Sequence, residues 1–394
     1  MKNKLVTGAF ILMIAAFICV LLLPADKESF ESENRAMNKL PAFDSKTVFS
    51  GRFASGFEDF IGDNVAFRSF FLDVSKTAED IKGFTPETGK IILTTKDIGT
   101  GTTQQQALLV ANNAVMEMFM RNRAIKDDYA VMVNHYAKKL PENINFYCML
   151  VPTQLAFQEP MYKNLQDSQE DTIESIYKQL DERVKIVDVY SALEEHSDEY
   201  IYFRTDHHWT QTGAYYAYCE FMRLTGGKSV KKDDFEKSDI QNFLGYLYNR
   251  AESSDFDVLP DRIEWYDTDP KGSIKVYRYN MDEDKTLHRY DGMMFDRTQA
   301  SYLLFFGGDH AIAEIVNNDI PDGKTLVIVK ESYSNALATW LIQNYHKVVL
   351  VDPRMYKGDF QYVLDTYSPD DVMMVDYIFA TNFPDYIDMV EAMD

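Results

Sequence analysis

Among its 394 residues the chain has only three cysteines, and no C-x-x-C pair or Cys/His cluster. Neither a disulfide-stapled scaffold nor a cysteine-based zinc site is therefore expected. With 12 Pro and 18 Gly beside 46% apolar residues, the composition is globular, which excludes collagen-like and disordered classes. Positive charge is scarce: 40 Lys plus Arg stand against 62 Asp plus Glu, a net charge of −22. Such a surface repels a phosphate backbone, so no nucleic-acid partner is expected. Histidine is sparse too, at seven residues. The length suits one large domain with an accessory region, or two ordinary domains.

One long hydrophobic run stands at the N-terminus. Residues 5–25 carry no charge and follow Lys2 and Lys4. As a helix, residues 5–23 span about 28 Å, close to the hydrocarbon thickness of a bilayer. The run closes on Leu21, Leu22, Leu23 and Pro24 without a small-residue cleavage site, and Cys19, preceded by Ile18, does not form a lipobox. An uncleaved transmembrane anchor is favoured over a removed signal peptide, with the body outside the cytoplasm. Cys148, in an apolar strand, and Cys219, in a helix, are expected to be buried thiols, although one disulfide stays open to them.

After the anchor at 1–25, residues 26–100 are expected to form a stalk and helical lead-in, with apolar positions from Phe57 to Val74 at mostly helical spacing. Helices are expected at 105–119, 127–140, 171–180, 213–224 and 335–345. Strands are expected at 146–151, 184–189, 302–306, 326–329, 348–351 and 372–375. Short apolar runs alternating with helices argue for an α/β domain over 101–394, built on a parallel sheet covered on both faces. Between about 226 and 300, short alternating segments suggest a β-rich antiparallel insertion. Its Trp265, Tyr266, Tyr277 and Tyr279 either line a sugar-binding groove or form the insertion's own small core.

Two segments concentrate chemistry. The first is Arg204-Thr205-Asp206-His207-His208-Trp209, where the chain's adjacent histidines sit beside a carboxylate just before a helix. A carboxylate orients an imidazole and stabilises its protonated form, as general-base chemistry needs. The same segment also reads as an ordinary loop before a helix capped by Thr210 or Thr212, or as a metal site drawing on Asp206, His207 and His310. The second segment is Lys330-Glu331-Ser332-Tyr333-Ser334-Asn335, where an apolar strand ends and a helix begins. A serine there stands at the carboxyl edge of a parallel sheet, with the helix N-terminus aimed at a developing oxyanion. Ser332 is the candidate nucleophile. Ser334, at the helix entrance, is expected to cap the first turn.

The run from Tyr200 to Tyr218, centred on Asp206-His207-His208-Trp209, resembles the signature of bacterial DHHW proteins. These are related to the AlgX/AlgJ group of SGNH-hydrolase-like polysaccharide O-acetyltransferases. Weaker matches are Met149-Leu150-Val151-Pro152-Thr153, Phe243-Leu244-Gly245, Phe306-Gly307-Gly308-Asp309, the Ser332 segment and Val349-Leu350-Val351-Asp352-Pro353-Arg354. The resemblance implies an SGNH-like α/β/α sandwich in circularly permuted order and a triad of Ser332, His208 and Asp206, with no cofactor or metal. Gly358 and Asn382 are the matching oxyanion candidates; Asp376 and Tyr377 also lie near the position of the family's Asn. Arg204, His207 and Trp209 are further oxyanion or substrate-binding candidates. Glu331 stands where the family usually has Asp. The implied activity is transfer of an acetyl group to a glycan acceptor, supplied by a membrane-bound O-acyltransferase partner. An esterase or deacetylase, and a noncatalytic glycan-binding or assembly scaffold, are the alternatives.

Overall fold

The computed structural model describes residues 89–97, 103–251, 258–269 and 271–393, together with Phe53. The anchor expected over 1–25, and the helical positions expected from Phe57 to Val74, lie outside the described residues. Among the described residues, no helix is long and apolar enough to cross a membrane. The chain divides between Pro86 and Glu87, and the elements below all belong to the second unit.

That unit opens with an antiparallel sheet of β1 (Lys90–Asp97), β2 (Thr103–Ala111) and β3 (Ala114–Met118). The described end of the lead-in is thus a strand, and the helix expected over 105–119 is a hairpin. Asn112 and Asn113 have φ of 51° and 59°. Two consecutive left-handed residues make the tight turn that asparagine favours in hairpins, and a helix cannot run through it.

Next come α1 (Asp128–Lys139), β4 (Asn145–Val151), α2 (Pro160–Lys163), α3 (Gln169–Tyr177), β5 (Val184–Ile186), α4 (Val189–Glu194) and α5 (Gln211–Thr225). The 226–300 region holds β6 (Lys237–Phe243), α6 (Tyr246–Ala251), β7 (Asp261–Tyr266), β8 (Ile274–Met281) and β9 (Leu287–Gly292). The chain closes with β10 (Ile312–Asn317), β11 (Thr325–Lys330), α7 (Ser334–Leu341), β12 (Lys347–Val351), α8 (Phe360–Tyr367), β13 (Asp371–Tyr377) and α9 (Pro384–Glu391).

The main sheet is mixed, in the order β5-β4-β13-β11-β12-β10-β8-β9. From β5 to β12 the neighbours are parallel; β12, β10, β8 and β9 pair antiparallel. The insertion therefore does more than lie beside the sheet: β8 and β9 extend it, joined through β10. Residues Leu326 to Val329 of β11 are buried, which explains their unbroken apolar run. Successive residues of β4 meet opposite helix layers, Tyr147 packing on Phe221 of α5 and Cys148 facing Tyr129 of α1. Both Cys148 and Cys219 are free thiols, Cys148 fully buried and Cys219 half-buried.

Two further expectations need correction. The strand expected over 302–306 is a short 3-10 turn, Tyr302–Leu304, followed by Phe306, Gly307 and Gly308 at φ of 60°, 68° and 103°. Such a run cannot extend as a strand. The strand expected over 184–189 stops at Ile186, because Asp188 caps α4 by accepting from Ser191 N–H. In the insertion, Trp265 and Tyr266 are buried and Tyr266 packs on Trp340, so they serve the core; Tyr277 and Tyr279 are half-buried.

The chain order places β12 on one side of β11 and β13 on the other. The crossover from β11 runs to β12 and the next returns past β11 to β13, and a reversal of this kind opens a crevice beyond the carboxyl ends of the strands. Ser332 follows the end of β11.

Candidate active site

The loop before α5 is folded by its own backbone. Tyr202 and Trp209 bridge antiparallel, Phe203 N–H donates to His208 O at 3.2 Å, and Thr210 N–H donates to Ile201 O at 2.9 Å. At the tip, Asp206 Oδ1 accepts from His208 N–H at 3.0 Å, the turn that a short carboxylate side chain makes with its own backbone. Thr210 caps α5 by accepting from Gly213 N–H at 3.2 Å.

The insertion holds this loop from outside. Asp261 of β7 accepts from Arg204 N–H at 2.8 Å, from Thr205 N–H at 2.7 Å and from the Thr205 hydroxyl. The Arg204 guanidinium donates to Pro260 O at 2.7 Å, so Arg204 braces the loop against β7. Gly245 packs so closely that a Cβ there would meet Asp206 Cβ at 2.4 Å and Thr205 O at 2.7 Å. Its neighbour Tyr246 donates its N–H to Asp206 Oδ2 at 3.0 Å. The Phe243-Leu244-Gly245 match is thus a close-packing motif on the Asp206 loop.

Two contacts tie this loop to the Ser332 turn. The buried Trp209 donates Nε1–H to Tyr333 O at 2.9 Å, and the Tyr333 hydroxyl donates to His207 O. Together they bring three residues into line. His208 Nδ1 is 2.6 Å from Asp206 Oδ1, and His208 Nε2 is 2.7 Å from Ser332 Oγ. Burial works against the Asp206 charge, but His208, His207 and the Tyr246 N–H outweigh it and hold the carboxyl well below its ordinary range. An ionised carboxylate only accepts, so the proton of the Asp206–His208 bond resides on Nδ1, which leaves Nε2 as the ring atom that faces the serine. Tyr302 lies flat on the His208 ring, with centroids 3.7 Å apart and planes 5° from parallel. An aromatic face there favours a cationic imidazole.

Beneath the serine lies a buried ion network that joins two of the weaker sequence matches. Lys330 Nζ, at 1% exposure, contacts Asp309 Oδ1 at 2.5 Å, Asn335 Oδ1 at 3.0 Å and Asp352 Oδ2 at 3.3 Å. Arg354 pairs with Asp309 at 2.7 Å and with Asp352 at 2.5 Å. The left-handed turn through Gly307 and Gly308 delivers Asp309 to this network. Lys330 and Arg354 together outweigh burial and hold the Asp309 carboxyl far below its ordinary range.

Other candidates are placed elsewhere or given other roles. The Asn382 amide is engaged with Asn122 N–H at 2.9 Å and Met120 O at 2.8 Å, binding the 120–122 segment. Gly358 lies after β12, and the three atoms closest to a Cβ there all belong to Tyr356. The N–H groups at the start of α7 are also engaged: Tyr333 with Glu331 Oε2, Ser334 with Glu331 O, Asn335 with Ser332 O and Ala336 with the Tyr302 hydroxyl. Those four are therefore not aimed at an oxyanion. Ser334 does not cap α7, and its buried Oγ has no partner among the described residues. Asp376 accepts from the hydroxyls of Tyr129 and Tyr386 on the helix side of β13.

Asp206, His207 and His208 bring potential ligand atoms within 4.8 Å of one another. However, Asp206 Oδ1 and His208 Nδ1 bond each other, and Nε2 faces Ser332. His310 is held by Phe306 O at 3.1 Å and Asn280 Oδ1 at 3.3 Å. The arrangement is that of a hydrogen-bonded proton path rather than of three lone pairs converging on an ion. The residues that the sequence did not single out are Tyr302 and Asp261, since each acts on a partner remote in the chain.

A family profile described as DHHW protein matches residues 84–351. The chain belongs to the DHHW family. Among solved structures, this DHHW protein is similar to a DHHW family protein from Eubacterium siraeum, with 26% identity and a TM-score of 0.63 over 75% of this chain and 96% of that one. PatB1 of Bacillus cereus shares the fold at 19% identity and a TM-score of 0.58, covering 71% of this chain and 99% of its own. PatB1 with a sulfonyl adduct aligns equally well, over 73% of this chain and all of that one. No curated protein sequence matches this one.

Proposed function

We propose that this DHHW protein is a membrane-tethered, extracytoplasmic O-acyltransferase that moves an acetyl group to hydroxyls of an envelope or secreted polysaccharide. The observation that carries this reading is the unbroken line from Asp206 through His208 to Ser332, set at the carboxyl end of β11. Ser332 is half-buried, so a substrate can reach it from solvent. Ser332 Oγ attacks the acyl carbonyl while its proton passes to His208 Nε2, and the departing group takes that proton as the acyl-serine forms. A sugar hydroxyl then gives its proton to His208 and displaces Ser332, which recovers the proton. Asp206 keeps the imidazole in the tautomer that this needs.

The group transferred and the acceptor come from the resemblance of the 200–218 run to SGNH-like O-acetyltransferases. A circularly permuted SGNH-like order agrees with a serine after β11, the third of the five parallel strands in chain order. Residues 1–25 are proposed as the anchor. Acyl donors are cytoplasmic, so a membrane-bound O-acyltransferase is proposed to pass the acyl group across. Hydrolysis by the same residues is the near alternative, since the half-buried serine also admits water. The engagement of the α7 amides favours the noncatalytic scaffold reading.

The test is to incubate the detergent-solubilised full-length chain with an activated acetyl ester and map the added mass, in wild type and in Ser332→Ala. Label on Ser332 that passes to a glycan supports transfer, and label lost only to water supports hydrolysis. No label in either protein favours the scaffold.

A further inference from the structure

The Ser332 hydroxyl has a second neighbour besides His208. Glu331 Oε2 lies 3.1 Å from Ser332 Oγ, against 2.7 Å for His208 Nε2. Glu331 is held in place by two backbone donors, Tyr333 N–H at 3.1 Å on Oε2 and Tyr377 N–H at 3.2 Å on Oε1. The carboxyl thus spans from the serine turn to the end of β13 and has little freedom to swing away.

One serine hydroxyl carries one proton and donates it to one acceptor at a time. If it points at His208 Nε2, then Ser332 Oγ and Glu331 Oε2 face each other, and a favourable contact requires a proton on the carboxyl. If Glu331 is charged, it draws the serine proton to itself, and His208 loses the proton it must accept for Ser332 to attack.

We propose that Glu331 is a positioning residue that directs the Ser332 proton: neutral, it leaves the proton to His208, and ionised, it takes the proton and silences the nucleophile. The inference rests on the acyl-Ser332 reading and adds to it a regulation by pH. Burial, with the nearby Asp376 charge, pushes the Glu331 carboxyl up to about 7, against the pull of Arg354, His208 and the Tyr333 N–H. The titratable groups that face it are Arg354 beyond β12, Asp376 on β13, His208 before α5, and the phenols Tyr302, Tyr333 and Tyr386. Both protonation states are then populated near neutrality.

The test follows the rate at which phenylmethanesulfonyl fluoride modifies Ser332 in the full-length chain, read by mass from about pH 5 to about pH 9 with reagent hydrolysis subtracted. In that step Ser332 Oγ bonds the sulfur, fluoride leaves, and the proton goes to His208 and then to solvent. Wild type is expected to pass through a maximum near neutrality and to fall by up to about tenfold per pH unit beyond it. Glu331→Gln is expected to lose the alkaline fall, and Glu331→Asp, which keeps a titrating carboxyl, to restore it. A wild-type rate that rises to a plateau overturns the role of Glu331 while leaving Ser332 as the nucleophile, and this holds even if Glu331→Gln does not fold. An alkaline fall unchanged in Glu331→Gln overturns it too. Absence of modification on Ser332 at every pH overturns the acyl-serine reading, and this inference with it.

Discussion

Nε2 of His208 and Oγ of Ser332 lie 2.7 Å apart although 124 residues separate them in the chain. The approach depends on Trp209 and Tyr333, whose bonds lock the loop before α5 onto the turn after β11. A site assembled this way is as rigid as the two elements that carry it, and each support is open to mutation.

His208 and His207 differ in what their rings do. His208 bridges Asp206 and Ser332, whereas the His207 ring lies against His208, with centroids 3.8 Å apart, and its carbonyl receives the Tyr333 hydroxyl. His208→Ala is expected to slow acylation of Ser332 by about 10²–10⁴-fold, a loss far beyond what the lower stability of a buried Asp206 without its partner explains. His207→Ala keeps its backbone carbonyl and should retain measurable labelling. The reverse ranking, read by mass spectrometry, would assign the base to the other ring.

Ser334 separates a buried hydroxyl from a cap. A capping serine is worth about 1 kcal/mol, but Ser334 Oγ is buried without a partner among the described residues. Ser334→Ala should therefore leave stability unchanged or slightly raised, since an unsatisfied polar group is removed. Ser332→Ala should lose all label with little change in stability. Denaturant unfolding of both variants checks this, and a loss of about 1 kcal/mol in Ser334→Ala would restore the cap.

Gly245 is the close approach on which Asp206 rests. A methyl group there meets the Asp206 Cβ and the Thr205 backbone, so Gly245→Ala must displace the carboxylate or the strand before α6. Overpacking of this kind costs about 1–3 kcal/mol. The loss in acylation rate should exceed what the unfolded fraction explains, because the Asp206–His208 bond is displaced as well. Labelling kinetics measured well below the melting temperature would separate the two effects.

Stability should depend on pH in a direction set by two buried carboxyls. Burial raises Glu331 to about 7 and Asp376 to about 6, so the native state holds protons that the unfolded chain has already released. Their contribution is full below the ordinary carboxylate range and is lost as pH rises through those values. Asp206 and Asp309, held low, act oppositely and lose their contribution only in acid. Glu331 and Asp376 should lower the melting temperature between about pH 4.5 and about pH 7, against the opposite pull of His310, which burial holds below its ordinary range, and Glu331→Gln should reduce the alkaline loss. An equal slope in both proteins would contradict the assignment for Glu331.

The sequence alone determined the elements whose signal is local. The apolar runs that become β4, β11, β12 and β13 are buried on both faces, so they read as strands without knowledge of their neighbours. Asp206 and His208 are two residues apart and share an Asx turn, and Ser332 stands at a strand-to-helix junction; each is visible from its immediate surroundings. What the sequence could not decide was set by partners far along the chain. The β2–β3 hairpin has enough apolar residues for a helix, and only the left-handed Asn112 and Asn113 with pairing to β1 make it a sheet. Tyr302 became a lid on His208, Asp261 a clamp on the Asp206 loop, and Asn382 a brace for 120–122. Hydrogen bonds and ring contacts between such residues form only once the sheet has brought them within a few ångströms. Their roles belong to the tertiary structure because directional short-range forces leave no period or spacing in the chain.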